Sequence, residues 1–219
     1  MGTFLAIVHQ AFGSDAWEIL AAVLALAYLA LAMYRSMWCW LCAFISSVIY
    51  VVLMAKQGLL MDSLLSLYYV VMAVYGYVAW RASKREDDEM SIVTWTWRQH
   101  VLATAAVLVL SSINSVILQA IAPWLVSLSV KLGLGYVQVV RSPWLDSFVT
   151  WSSVLTTWMV TRRVLENWLY WIVIDSVAAG LYWSRDLKYT AVLFVIYVGM
   201  VIYGYHQWRK RVVAVGTPA

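Results

Sequence analysis

The sequence predicts an all-α integral membrane protein: seven transmembrane helices arranged as a 3+1+3 parallel repeat of three-helix bundles. Three observations predict it. The 219-residue chain is 64% hydrophobic and 12% charged, with a mean hydropathy of +0.78; a soluble domain is about half apolar and a quarter charged. Apolar runs long enough to cross ~30 Å of hydrocarbon recur along nearly its whole length. Finally, Trp168–Arg209 lies on Trp40–Arg81 without a gap at a shift of 128 residues, so that Trp40 meets Trp168, Tyr69 meets Tyr197, and the ending Tyr75-Gly76-Tyr77-x-x-Trp80-Arg81 meets Tyr203-Gly204-Tyr205-x-x-Trp208-Arg209.

In hydrocarbon every backbone amide must find a partner, which helices provide within one segment; the alternating pattern of a membrane β-barrel is absent. Residues 1–15 read as an N-terminal surface segment, capped near Ser14 or Asp15, without the basic start of a cleaved signal peptide. Helix 1 is expected over about Ala16–Tyr34, and Arg35-Ser36 turns the chain into helix 2, about Met37–Ala55. Lys56-Gln57-Gly58 ends that helix by a glycine signal. Helix 3, about Leu60–Trp80, completes a first bundle over residues 16–81.

Residues 82–100 carry the run SKREDDE and read as a solvated cytoplasmic loop. A lone linker helix is expected over 101–122, stopped by Pro123. Residues 123–142 mix apolar side chains with Lys131, Gly133, Gly135 and Arg141, and read as an interfacial or re-entrant connection. Pro143 opens helix 5 in the favoured first-turn position. Helix 5 runs to about Thr161, Arg162-Arg163 matches the turn at Arg35, and helices 6 and 7, about Leu165–Trp183 and Leu187–Trp208, complete a second bundle over 143–209. A tail over 210–219 follows. No proline is expected inside a span. An odd helix between two three-helix units gives both units the same orientation, hence a parallel repeat about an axis along the membrane normal.

The net charge of +4 does not point to nucleic acid, because the basic residues sit at helix ends. One side of the predicted topology collects five Lys and Arg, the other ten. The richer side, holding Arg35, the 82–100 loop, Arg162-Arg163 and the tail, is expected in the cytoplasm, with the N-terminus out and the C-terminus in. Cys39 and Cys42 form a C-x-x-C inside an apolar helix and read as small buried residues. The chain has no G-x-x-x-x-G-K-[ST] and so no ATP drive of its own. His9, His100 and His206 are too far apart for a cluster, helix 7 has no mid-span lysine for a retinal Schiff base, and no cofactor is implied. An intramembrane hydrolase would need a base beside Ser46 or Ser47, and no histidine lies at that depth. A receptor-like seven-helix protein would bind a ligand without moving it across.

Asp175 is the sharpest candidate. A carboxylate near the bilayer centre is costly unless it faces a polar space, pairs or is protonated. Helical spacing puts Trp168, Trp171, Asp175, Ala178/Ala179 and Tyr182 on one face. Two indoles a turn apart beside a carboxylate suit a flat cationic ring, through stacking and a cation–π attraction of ~0.5–2 kcal/mol; the alternative is an ordinary core pair, with Asp175 bonding Ser or Tyr on a neighbouring helix. Their counterparts in the first repeat are Trp40, Ala43 and Ser47, so one asymmetric site sits on a pseudo-symmetric frame. Asn114 with Ser111, Ser112 and Ser115 serves either helix–helix hydrogen bonds or ligand hydroxyls. Asn167 reads equally as a cap or as site lining. Tyr69 and Tyr197 put hydroxyls at mid-helix in both repeats. Asp62 and Asp146 open helices, where a carboxylate complements the dipole. Gly76, Gly180, Gly199 and Gly204 read as sites of close helix packing.

These residues resemble the PnuC family of bacterial vitamin transporters. The resemblance is carried by Glu166-Asn167-Trp168-x-x-Trp171 with Asp175 after it, Trp144-x-Asp146-Ser147-Phe148 opening helix 5, the Leu187–Tyr189–Ala191 turn and the YGYxxWR-type ending, and the 3+1+3 plan covers nearly the whole chain. It implies a fold related to the SWEET sugar transporters, a bacterial inner-membrane location, and facilitated diffusion of nicotinamide riboside, trapped by a cytoplasmic kinase. It places Trp168 and Trp171 in the riboside site. Relatives that carry thiamine or another vitamin share the fold. The lipid bilayer and a small-molecule vitamin are the expected partners, nucleic acid is not, and a homo-oligomer is left open.

Overall fold

A computed structural model of the chain describes residues 15–86, 91–132, 142–184 and 188–212. The expected surface helix before residue 15 and most of the tail lie outside the described residues. The described elements are helical: α1 Asp15–Met33, α2 Trp38–Lys56, α3 Leu60–Glu86, α4 Trp97–Leu132, α5 Pro143–Thr161, α6 Asn167–Ser184 and α7 Lys188–Arg209. Five of the seven, α1 to α4 and α7, are long and apolar enough to cross a membrane. Helices α5 and α6 have similar lengths, 19 and 18 residues, but fall short in apolarity. In α5 the reason is six serines and threonines turned inward: Ser147, Ser152, Ser153, Thr156, Thr157 and Thr161 are all buried. Leu67, Val71, Val74 and Val78 lie exposed along α3, as a lipid-facing surface requires.

Two expectations about α4 are corrected. The helix begins at Trp97 and runs through Pro123 to Leu132, rather than spanning 101–122 and stopping at the proline. Proline removes one ladder hydrogen bond and crowds the carbonyl four residues earlier; here the rest of the ladder continues. Residues 123–132 are therefore helical rather than interfacial, and 133–141 lie outside the described residues. Helix α3 likewise extends to Glu86, past its expected end at Trp80.

Helices α1 and α3 both pack on α2, and α5 and α7 both pack on α6. The two groups meet where α3 lies on α5 and α1 on α7, while α4 packs on α5. Local geometry recurs at the 128-residue shift. Arg35 and Arg163 carry left-handed φ of 57° and 56° at the α1–α2 and α5–α6 turns. Their backbone N–H groups donate to Ala32 and Val160, both at 3.0 Å. Each of these carbonyls also accepts an indole N–H from the other group: Trp80 Nε1 donates to Val160 at 3.3 Å and Trp208 Nε1 to Ala32 at 3.1 Å. Gly58, with φ 73°, closes α2 as the glycine signal predicts.

The core gathers at this end of the molecule. Trp40 meets Trp80 edge-on at 5.1 Å, Trp168 meets Trp208 edge-on at 5.3 Å, and Trp80 and Trp208 lie 6.2 Å apart. Buried Ile92 packs into the same cluster. Its segment crosses the helix ends in extended form: Val93 N–H donates to Arg163, its carbonyl accepts from Leu165 N–H, and Ile92 bridges to Val212. The α1–α2 turn, the α3–α4 connection, the α5–α6 turn and the end of α7 thus share one end, the basic one.

Candidate functional site

The polar centre is assembled from one residue on each of six helices. Helix α6 carries Asp175, 5% exposed, with no hydrogen bond or ion pair to it among the described residues. It lies within electrostatic reach of the Tyr69 hydroxyl on α3 and the Tyr197 hydroxyl on α7. Ser153 of α5 and Tyr28 of α1 both lie within electrostatic reach of Tyr69. Tyr50 of α2 stands in the same relation to Tyr197. Sequence reasoning found Asp175, Tyr69 and Tyr197, and missed Tyr28, Tyr50 and Ser153. The available signal was the same for all of them, a polar atom at mid-span.

Ser47, the counterpart of Asp175 in the first group, is buried on α2 and likewise has no hydrogen bond among the described residues. So two pseudo-equivalent positions hold buried polar groups without a partner among the described residues, and only one of them is ionisable. Such groups are costly in a low-dielectric interior unless something satisfies them.

The two indoles of helix α6 have different placements. Trp168 is 2% exposed. A Cβ on Gly204 would stand 2.6 Å from its ring, and Trp208 covers it edge-on. Trp40 repeats this arrangement under Gly76, where a Cβ would collide with the ring. Both rings are core pieces whose indole N–H groups lack partners. Trp171 is half-buried at the margin of the core. Gly76 and Gly204 therefore permit close packing as expected, whereas a Cβ on Gly180 or Gly199 would meet nothing within 4 Å, which corrects that expectation for these two.

Asn114 and Asn167 have structural partners. Asn114 Nδ2 donates to Ser147 Oγ at 2.9 Å, tying α4 to α5. Ser111 and Ser112 donate back to Val107 and Leu108 of their own helix. Asn167 is fully buried and its Nδ2 donates to Val164 at 2.6 Å, while its Oδ1 has no partner. Tyr182 belongs to α6, but its side chain lies outside the described residues. Asp62 and Asp146 sit in the first turns of α3 and α5. Cys39 and Cys42 are free thiols.

A cavity of about 300 Å³ opens between α4, α5 and α6, lined by Val107, Phe148, Leu169, Tyr170, Val173 and Ile174 among others. On α6 these residues face nearly opposite to Trp171 and Asp175 at 100° per residue. The cavity is almost wholly apolar, with Thr104 and Ser152 its polar lining residues.

A multi-pass helical protein with a buried carboxylate at the middle of α6 fits the class of small-molecule membrane transporters, and the family match shows that class. Comparison with known proteins gives the family. Residues 15–210 match the model of the nicotinamide mononucleotide transporter family, and the chain belongs to that family, which includes the PnuC transporters. It is 28% identical over 200 residues to the riboflavin/roseoflavin transporter RibM of Streptomyces davaonensis, covering 89% of this chain and 84% of that one. It is 22% identical over 156 residues to the nicotinamide riboside transporter PnuC of Escherichia coli, covering 66% and 64%. The crystal structure of the vitamin B3 transporter PnuC superposes with a TM-score of 0.68 at 22% identity, over 96% of this chain and 87% of that one.

Proposed function

We propose that this protein takes up a vitamin with a flat heteroaromatic ring by facilitated diffusion, and that nicotinamide riboside is the substrate its site fits best. The observation that carries this reading is Asp175, a buried carboxylate with no cationic partner among the described residues. A cationic ring would balance it, and a riboside supplies hydroxyls for Ser47, Ser153 and the tyrosines. Trp171, partly buried and one turn before Asp175 on α6, is the stacking ring; Trp168, Trp40 and Asn167 hold the frame around it, and Asn114 fastens α4. Thiamine also carries a cationic ring and remains the sister reading. Riboflavin is a second reading favoured by the similarity to RibM: its ring is neutral, and it would meet Asp175 as a hydrogen-bond partner.

The frame is a 3+1+3 parallel repeat with seven spans, α4 being the linker. Recurrence of the Arg35 and Arg163 turns and the exchanged indole hydrogen bonds support it. Alternating access then consists of one bundle rocking against the other about the polar centre. The basic end carries Arg35, Arg162 and Arg163, which supports a cytoplasmic position there and an outward N-terminus. Phosphorylation by a cytoplasmic kinase would leave the product too charged to return through an apolar path.

Binding of nicotinamide riboside, thiamine and riboflavin to purified protein, followed by calorimetry or tryptophan quenching, tests the reading. Micromolar nicotinamide riboside binding that is lost in Trp171→Ala is expected. Thiamine or riboflavin binding in its place would keep the transporter and replace the cargo, and uptake into vesicles that follows an imposed pH gradient would replace uniport by proton coupling.

A further inference from the structure

The two bundles share a frame but not a lining. At the 128-residue shift, the buried Ser147, Ser152, Ser153, Thr156, Thr157 and Thr161 of α5 correspond to Ile19, Leu24, Ala25, Tyr28, Leu29 and Met33 of α1. Every inward hydroxyl of α5 thus has an apolar or aromatic counterpart. Most intrahelical hydroxyls here are engaged: Thr150 and Thr156 donate to Asp146 and Ser152, Thr161 donates to Trp158, and Ser147 accepts from Asn114. Thr157 differs. It is 6% exposed and has no hydrogen bond among the described residues, even to the carbonyl one turn back that a helical threonine ordinarily uses. It lies one turn from Ser153, on the same face, and Ser153 is buried within electrostatic reach of Tyr69.

We infer that Ser153 and Thr157 form a hydroxyl track on α5 that recognises the polyol portion of the substrate, with Thr157 the specificity-determining position. The inference rests on the vitamin-transport reading and adds a direction: the ring sits by Asp175 and Trp171, and the sugar or sugar-alcohol chain runs along α5. An unpartnered hydroxyl on a buried residue discriminates for ligands that can pair with it and against analogues that cannot. At the position matching Thr157, α1 carries Leu29, which offers only apolar contact.

The test uses two matched ligand pairs on the full chain: nicotinamide riboside against 1-methylnicotinamide, and riboflavin against lumiflavin. Within each pair the ring is kept and the polyol removed. Thr157→Val keeps the shape and deletes the hydroxyl. It is expected to weaken the polyol-bearing ligand of whichever pair the wild type binds by about three- to tenfold, while the ring-only ligand binds as before. Thr156→Val, whose hydroxyl already bonds within the helix, is the control and should leave both unchanged. Thermal unfolding of each variant in detergent verifies that it is folded. Equal weakening of both members of a pair, or no change in either, by a folded Thr157→Val would overturn the track. Wild-type protein that binds no member of either pair would overturn the vitamin reading itself, and the track with it.

Discussion

The carboxylate of Asp175 decides what charge the centre accepts. At 5% exposure among uncharged hydroxyls, it gains from a cation and repels an anion. Asp175→Asn keeps the size and hydrogen-bonding capacity but removes the charge. It is expected to weaken a cationic ligand at least tenfold, about 1.4 kcal/mol, and to leave a neutral ligand within about twofold, both read by titration calorimetry. Equal loss for both would mean that Asp175 shapes the site rather than balancing charge. This residue was legible in the sequence because one acid in an apolar helix has few explanations. The hydroxyls of α5 were not, because a helical serine or threonine bonds its own backbone by default, and only the structure separates Thr157 from Thr156 and Thr161, which do so. Trp40 and Trp168 were legible as important, but their spacing left core and clamp both open: it fixes a face, whereas Gly76 and Gly204, 36 residues later in each repeat, fix what that face touches.

Among elements, α7 carries a matched experiment. Gly204 faces Trp168, and a Cβ there would stand 2.6 Å from the ring. Forced overpacking of that kind costs about 1–3 kcal/mol. Gly199, on the same helix, would place its Cβ in open space, where replacing a helical glycine by alanine gains roughly 0.5–1 kcal/mol. Gly204→Ala should therefore lower the detergent melting temperature, and Gly199→Ala should leave it unchanged or raise it. A fall of similar size in both would show that glycine mobility in α7, rather than contact with Trp168, sets stability. The repeated turns and helix ends were readable in advance because Arg35, Gly58, Pro143 and Arg163 act locally. Pro123 misled because its effect is not local: in water a proline commonly marks a helix end, but in hydrocarbon the freed backbone groups have no solvent to turn to, and continuing the helix exposes fewer of them.

For the whole molecule, the exchange of indole hydrogen bonds couples the two bundles at the basic end. Trp80 reaches from α3 to the end of α5, and Trp208 reaches from α7 to the end of α1. Each contact crosses between groups, so rocking that opens this end must break both. Buried Ile92, 1% exposed, packs against the same rings and reports whether the end is closed. A neutral hydrogen bond is worth about 0.5–1.5 kcal/mol net, so removing one should raise the population open at this end roughly two- to twelvefold. Trp208→Phe deletes the N–H and keeps an aromatic ring. With Cys39 and Cys42 replaced by alanine and Ile92→Cys as the reporter, maleimide labelling should quicken by that factor in Trp208→Phe. Trp80→Phe should do the same, because the two contacts are related by the repeat, and the double substitution should exceed either single one. Labelling that stays slow in both single variants while transport continues would place the opening elsewhere, and the tryptophan pair would then be a fixed pivot about which the bundles turn.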